Sequence, residues 1–94
     1  MRKVIIITGA GKGLGKAITL RLAKSENKFL LVGRNEEELS QLCEEVKELG
    51  SEANYVTVDL ARVDSANTIV NRCIDYYSRI DVLINNAGVA NPFS

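Results

Sequence analysis

The sequence predicts an α/β fold in which a parallel sheet is covered on both faces by helices. Two observations carry this. Short, continuous apolar runs alternate along the 94 residues with longer stretches whose apolar positions recur at intervals of three and four. The apolar runs are rich in β-branched residues and lack the in-and-out alternation of a half-exposed strand, which is the form taken by strands buried on both faces. A chain of 94 residues allows one domain at most. With 46% hydrophobic and 26% charged residues it has the side chains to build a core and is not expected to be disordered.

Each element follows from its own residues. Val4 to Thr8 is the first strand, ended by a glycine-rich turn. The first helix follows, with Leu14, Ala17, Ile18 and Leu22 expected inward, and the polar cluster Ser25-Glu26-Asn27 stops it. Phe29 to Val32 is the second strand. The second helix starts after Asn35, whose side chain can cap the free amides while Glu38 reaches back as a capping-box partner; Glu36 and Glu37 favour the same positive end. Leu39, Leu42, Val46 and Leu49 line one face, and Gly50 supplies the left-handed residue that ends the helix. Tyr55 to Val58 is expected as the third strand, closed by Asp59. A third helix, capped by Asp64 or Ser65, places Ile69, Val70, Cys73, Ile74 and Tyr77 inward, and Asp81 to Ile84 is the fourth strand.

Composition narrows the function classes. Twelve basic residues balance twelve acidic ones, so no overall field steers the protein toward nucleic acid or a membrane surface, and neither is expected as a partner. Any anion must be gripped locally. Cys43 and Cys73 lie in helical segments with no histidine in the chain, and read as buried thiols, not as a disulfide or a metal site. The apolar run after Met1-Arg2-Lys3 is too short for a signal peptide, and no stretch approaches a membrane span. A cytoplasmic protein is expected.

The chemistry is concentrated in Thr8-Gly9-Ala10-Gly11-Lys12-Gly13-Leu14-Gly15, between the first strand and the first helix. Glycines allow the backbone to turn tightly and approach a ligand, and the first amides of the helix point at whatever sits there, so the turn suits a phosphate. A Walker loop is excluded: Gly15-Lys16 is followed by Ala17, and Ala10 stands where the first glycine belongs. The Gly-x-Gly-x-x-Gly pattern fails from Gly9, because position 14 is leucine, and from Gly11, because position 16 is lysine. The spacing that fits is Gly9-x-x-x-Gly13-x-Gly15.

Preceded by Thr8, that spacing resembles the Thr-Gly-x-x-x-Gly-x-Gly fingerprint of the short-chain dehydrogenase/reductase family. Asp59-Leu60 after the third strand and Asn85-Asn86-Ala87-Gly88 after the fourth extend the resemblance over nearly the whole chain. It implies a Rossmann-like doubly wound parallel sheet of strand order 3-2-1-4, with residues 1–94 forming the NAD(P)-binding half. Cofactor contacts are then expected from Gly9, Gly11, Lys12, Gly13, Leu14 and Gly15 in the loop. Arg34 and Asn35 after the second strand, Asp59 and Leu60 after the third, and Asn86, Ala87 and Gly88 after the fourth complete the set. Asp59 either sits near the adenine or merely closes its strand in an Asx turn. Asn86 resembles a residue that ties strands together beside the cofactor, and Thr8 is expected to be structural.

Cofactor preference also has an electrostatic basis. Lys12 and Arg34 each precede a helix N-terminus, where a cation is disfavoured by ~0.3 to 1 kcal/mol, so two converging there suggest an anion between them. An acidic residue at the end of the second strand would hold the 2′-hydroxyl of NAD; here Gly33 and Arg34 stand in its place. NADP (as NADPH) is expected over NAD.

The family's acid/base tyrosine is followed four residues later by lysine. Tyr55, Tyr76 and Tyr77 are followed at that spacing by Asp59, Ile80 and Asp81, so none fits, and no catalytic residue is expected within the chain. The resemblance therefore implies the cofactor-binding part of an oxidoreductase whose catalytic half lies beyond Ser94. The parent would act on a small-molecule carbonyl or alcohol as a homodimer or homotetramer. A non-catalytic dinucleotide-binding or NADPH-sensing module would share every feature seen here.

Overall fold

The computed structural model describes residues 2–87. Its elements run β1 (Val4–Thr8), α1 (Gly13–Leu22), β2 (Lys28–Gly33), α2 (Glu36–Glu48), β3 (Glu52–Thr57), α3 (Ser65–Tyr77) and β4 (Val82–Asn85), with a 3-10 turn, Ala23–Ser25, after α1. All strand pairs are parallel and the order is β3-β2-β1-β4. The expected α/β, doubly wound arrangement is therefore present. β1 is buried throughout because it has a strand on each side and helices on each face. One apolar cluster joins Ile5, Ile7, Phe29 and Leu31 of the sheet to Leu39, Leu42 and Val46 of α2. The alternate strand residues Val4, Ile6, Leu30 and Val32 face the other way, onto Ile69 and Cys73 of α3.

Where the chain turns, polar side chains close the backbone. Ser51 accepts from the Asn27 amide at 2.9 Å and donates to the Ala23 carbonyl at 2.6 Å, while Asn27 donates to the Leu22 carbonyl. Gly50, at φ +97°, ends α2 in the left-handed conformation the sequence predicts. Both cysteines are free and buried, and burial pushes the Cys43 thiol up to about 11, so it carries no thiolate at neutral pH.

Several expectations need correction. β3 begins at Glu52, not Tyr55, and ends at Thr57: it is an edge strand, so its polar residues Glu52 and Asn54 are tolerated and only Ala53 and Val56 are buried. β4 begins at Val82, because the Asp81 side chain instead accepts from the Val4 amide and from Arg79 Nε. In α1 the buried positions are Gly15 and Thr19, with Ile18 and Leu22 partly covered; Leu14 is 67% exposed and Ala17 is exposed. The reason is close approach. Gly15 lies against the Gly9 carbonyl, and the Thr19 hydroxyl is satisfied by the Gly15 carbonyl at 2.8 Å, so a small and a polar residue take the inward stripe. Leu49, beyond the end of α2, is exposed, and Val70 and Ile74 lie on the outer flank of α3. Asp64 precedes α3 without a side-chain cap bond, being paired with Arg62 at 3.6 Å, while the Ser65 hydroxyl donates to the Leu60 carbonyl.

Candidate dinucleotide site

A parallel sheet delivers the loops after β1, β2, β3 and β4 to one edge, where they enclose a cleft of about 490 Å³. Gly9, Lys12 and Ala87 form one wall. Gly33, Arg34, Asn35 and Glu38 form the second, and Val58, Asp59, Leu60 and Ala61 the third. The Ala10 amide donates to the Val32 carbonyl at 3.1 Å and the Val58 amide to the Gly33 carbonyl at 3.0 Å, which fixes the first three loops relative to one another.

Of the three helix N-termini at this edge, the two that flank the cleft, those of α1 and α2, are built differently. α2 has its Asn35 cap, Oδ1 accepting from the Glu38 amide at 3.0 Å, and three glutamates in its first turn. α1 has neither: Lys12 makes no side-chain cap bond and no acidic residue lies in the first turn. The opening amides of α1 thus keep their partial positive charge, and no side chain among the described residues caps them. Gly13, at φ +60°, has nothing within 4 Å of where a Cβ would stand, so the space before this turn is open. Gly15 is the opposite case, since a Cβ there would collide with the Gly9 carbonyl oxygen. These features fit a phosphate-bearing cofactor held against α1.

Behind the loop, Asn86 Nδ2 donates to the Gly9 carbonyl at 3.2 Å, and Thr8 Oγ1 donates to Asn85 Oδ1 and accepts from the Ala87 amide. Thr8, Asn85 and Asn86 therefore clamp the β1 and β4 loops together, and Asn86 lies behind the cleft. Asp59 forms the Asx turn, its Oδ1 accepting from the Ala61 amide at 3.0 Å, yet it still lines the cleft. At Gly33 a Cβ would stand 3.2 Å from the Leu39 side chain, so the position is crowded against a larger residue.

The structure thus brings together Gly9, Lys12, Arg34, Asn35, Asp59, Leu60 and Ala87. Gly11 is covered by Glu38, Gly13 and Leu14 stand at the open rim, Gly15 and Asn86 support the loop from behind, and Gly88 lies outside the described residues. Glu38, Val58 and Ala61 join the site without a sequence signal that pointed to it. Glu38 carries the signature of a capping partner, but only Asn35 caps; the glutamate side chain folds over Gly11 instead.

The hydroxyls of Tyr55 and Tyr77 are both engaged with the protein and lie outside the cleft. The Tyr77 hydroxyl donates to the Phe29 carbonyl at 2.8 Å and burial pushes it up to about 12. The Tyr55 hydroxyl donates to Glu36 at 3.0 Å, which raises it too. Among the described residues no cluster of histidine, cysteine and carboxylate could hold a metal ion, and no helix is long and apolar enough to cross a membrane.

The family model described as short chain dehydrogenase matches residues 3–94. The chain belongs to the short-chain dehydrogenase family. Among curated relatives, 1,6-dihydroxycyclohexa-2,4-diene-1-carboxylate dehydrogenase of Acinetobacter baylyi is 40% identical over 94% of this chain and 33% of its own length. The 3beta-hydroxysteroid dehydrogenase of Mediterraneibacter gnavus is 31% identical over 93% of the chain and 32% of its own length. Among solved structures, L-sorbose reductase from Gluconobacter frateurii, complexed with NADPH and L-sorbose, superposes with a TM-score of 0.88 at 32% identity, over 96% of this chain and 35% of that one. An alcohol dehydrogenase from the archaeon Thermococcus sibiricus, complexed with 5-hydroxy-NADP, gives 0.83 at 28% identity, over 88% of this chain and 36% of that one. The chain spans about a third of the length of these four proteins.

Proposed function

We propose that residues 1–94 are the NADP(H)-binding half of an oxidoreductase that transfers hydride between nicotinamide and a small carbonyl or alcohol substrate. The observation that carries this reading is the cleft in which the uncapped N-terminus of α1 opens beside Lys12 and Arg34, with no carboxylate at the end of β2. In this reading the α1 amides at Gly13 to Gly15 and the open rim at Leu14 receive the pyrophosphate. Lys12, Arg34 and the Asn35 amide group hold the 2′-phosphate, and Asp59 and Leu60 bound the adenine. Ala87, on the wall formed with Gly9 and Lys12, completes the contacts offered by the described residues. The nicotinamide, when bound, supplies the hydride.

Two similar structures hold NADPH or 5-hydroxy-NADP, and the curated relatives are dehydrogenases, which supports an enzyme over a sensor. The three tyrosines lack a lysine four residues on, so the chain by itself is expected to bind cofactor without reducing a ketone. Balanced charge and buried thiols support a cytoplasmic setting, and the parent is read as a homodimer or homotetramer.

Arg34→Asp tests the cofactor assignment. Losing a charge-assisted contact of ~1.5 to 3 kcal/mol should weaken NADPH binding about tenfold or more, and the new carboxylate should favour NADH. An unchanged ratio of the two affinities in calorimetric titration would remove Arg34 from the phosphate site.

A further inference from the structure

We propose that Glu38 is a second determinant of cofactor choice and acts against Arg34. The inference rests on reading the cleft as the dinucleotide site. Five acidic residues, Glu36, Glu37, Glu38, Asp59 and Asp64, stand at this edge of the sheet, and their roles differ; Asp64 is paired with Arg62 outside the cleft. Glu36 is engaged by the Tyr55 hydroxyl, Glu37 is exposed away from the cleft, and Asp59 has one oxygen in its Asx turn. Glu38 lines the cleft and is half-buried, and its carboxylate has no hydrogen-bond or ion-pair partner among the described residues.

Its place is set by packing. The backbone amide of Glu38 is held by Asn35, and a Cβ on Gly11 would stand 3.1 Å from both Cβ and Oε1 of Glu38, so the side chain runs across the loop at Gly11, where no side chain crowds it. The carboxylate therefore shares a 490 Å³ cleft with Lys12 and Arg34. An ionised carboxylate accepts hydrogen bonds and donates none. It can receive a ribose hydroxyl of NADH, whereas a phosphate on the same ribose meets it as a like charge. Lys12 and Arg34 attract that phosphate, and Glu38 takes part of the attraction back. The cleft accordingly holds both the cations that select NADPH and a carboxylate that keeps NADH within reach.

Glu38→Gln removes the charge while keeping the Cβ against Gly11 and the amide bonded to Asn35, so thermal melting should match the wild type. Titrated with NADPH and NADH at low salt, it should raise the NADPH-to-NADH affinity ratio by roughly fivefold or more, the effect of one unit charge across a partly solvated cleft. Glu37→Gln makes the same change in net charge outside the cleft and should leave the ratio unmoved. A ratio unchanged in Glu38→Gln overturns the proposal while wild-type binding leaves the cleft reading standing. An equal shift in Glu37→Gln overturns it as well, by showing a general effect of net charge. Wild-type protein that binds neither dinucleotide overturns the cleft reading and this proposal together.

Discussion

Replacing Gly13 by valine separates the two tasks of the β1–α1 loop, folding and binding. Gly13 sits at φ +60° with no atom of the described residues within 4 Å of the place a Cβ would take, so the cost of valine there is backbone strain. A non-glycine residue held in that region costs about 1 to 3 kcal/mol. In a domain of this size each kcal/mol lowers Tm by about 4–8 °C, so a fall of roughly 5 to 20 °C is expected with the sheet intact. Binding should suffer more. The branched side chain occupies the space before the uncapped amides of α1, and losing two charge-assisted hydrogen bonds at ~1.5 to 3 kcal/mol each weakens NADPH by roughly a hundredfold or more. Gly15→Ala supplies the contrast. It is smaller and lies within the helix, yet its Cβ collides with the Gly9 carbonyl oxygen and comes within 3.0 Å of Asn86 Nδ2, so the Gly9–Asn86 bond must break. Its damage should fall on stability first. Calorimetric titration beside thermal melting reads both quantities. Wild-type NADPH affinity in Gly13→Val would refute an anion at the α1 N-terminus, and wild-type melting in Gly15→Ala would refute the close contact that positions the loop.

The Asp81 carboxylate accepts from the Val4 amide at 2.8 Å and from Arg79 Nε at 2.9 Å, and the Val4 bond, then Arg79, hold it below the ordinary value of 3.8. A lowered folded-state value means that this contribution is present above 3.8 and is lost as pH falls through the lowered value, so Asp81→Asn should flatten the acid limb of a stability–pH profile below about 4; an unaltered limb would assign acid sensitivity elsewhere. Among the described residues β4 is an edge strand, with Leu83 60% exposed beside Val70 of α3, so residues 1–94 should self-associate and Leu83→Lys should reduce the mass seen by light scattering. A wild-type monomer at the same concentration would show that this apolar edge is harmless.

The fold was legible where one physical requirement dominated. Val4 to Thr8 must be a buried strand because it offers no polar face, and Gly50 must end α2 because it takes φ +97° without strain. It was less legible where two requirements competed. Leu14 looked like a core residue by spacing, but α1 approaches the sheet through Gly15 and Thr19, which rotates the inward stripe away from it. β3 extends three residues earlier than its apolar content suggests, because backbone pairing, from Lys28 opposite Glu52 to Gly33 opposite Thr57, decides the extent of an edge strand and side chains do not.

The site divides the same way. Lys12 and Arg34 could be picked out because a cation before a helix N-terminus works against the helix, and such a cost asks for a ligand. Glu38 could not, since a glutamate three residues after an N-cap satisfies a local rule already, and local rules conceal longer-range uses of the same residue. Only the packing of the β1–α1 loop over the first turn of α2 reveals that Glu38 lines the cleft with its side chain against Gly11. That packing also explains why the two helices contribute unequally. Both follow strands of one parallel sheet and open at the same edge, but α2 has its amides capped by Asn35 and its positive end balanced by three glutamates. It can offer an anion little beyond the Arg34 side chain that precedes it. α1, with no cap and no acid, offers its backbone. A ligand carrying two separate phosphate groups, one for the amides of α1 and one for Lys12 and Arg34, satisfies both helices at once, and a ligand with a single phosphate leaves one of them unanswered.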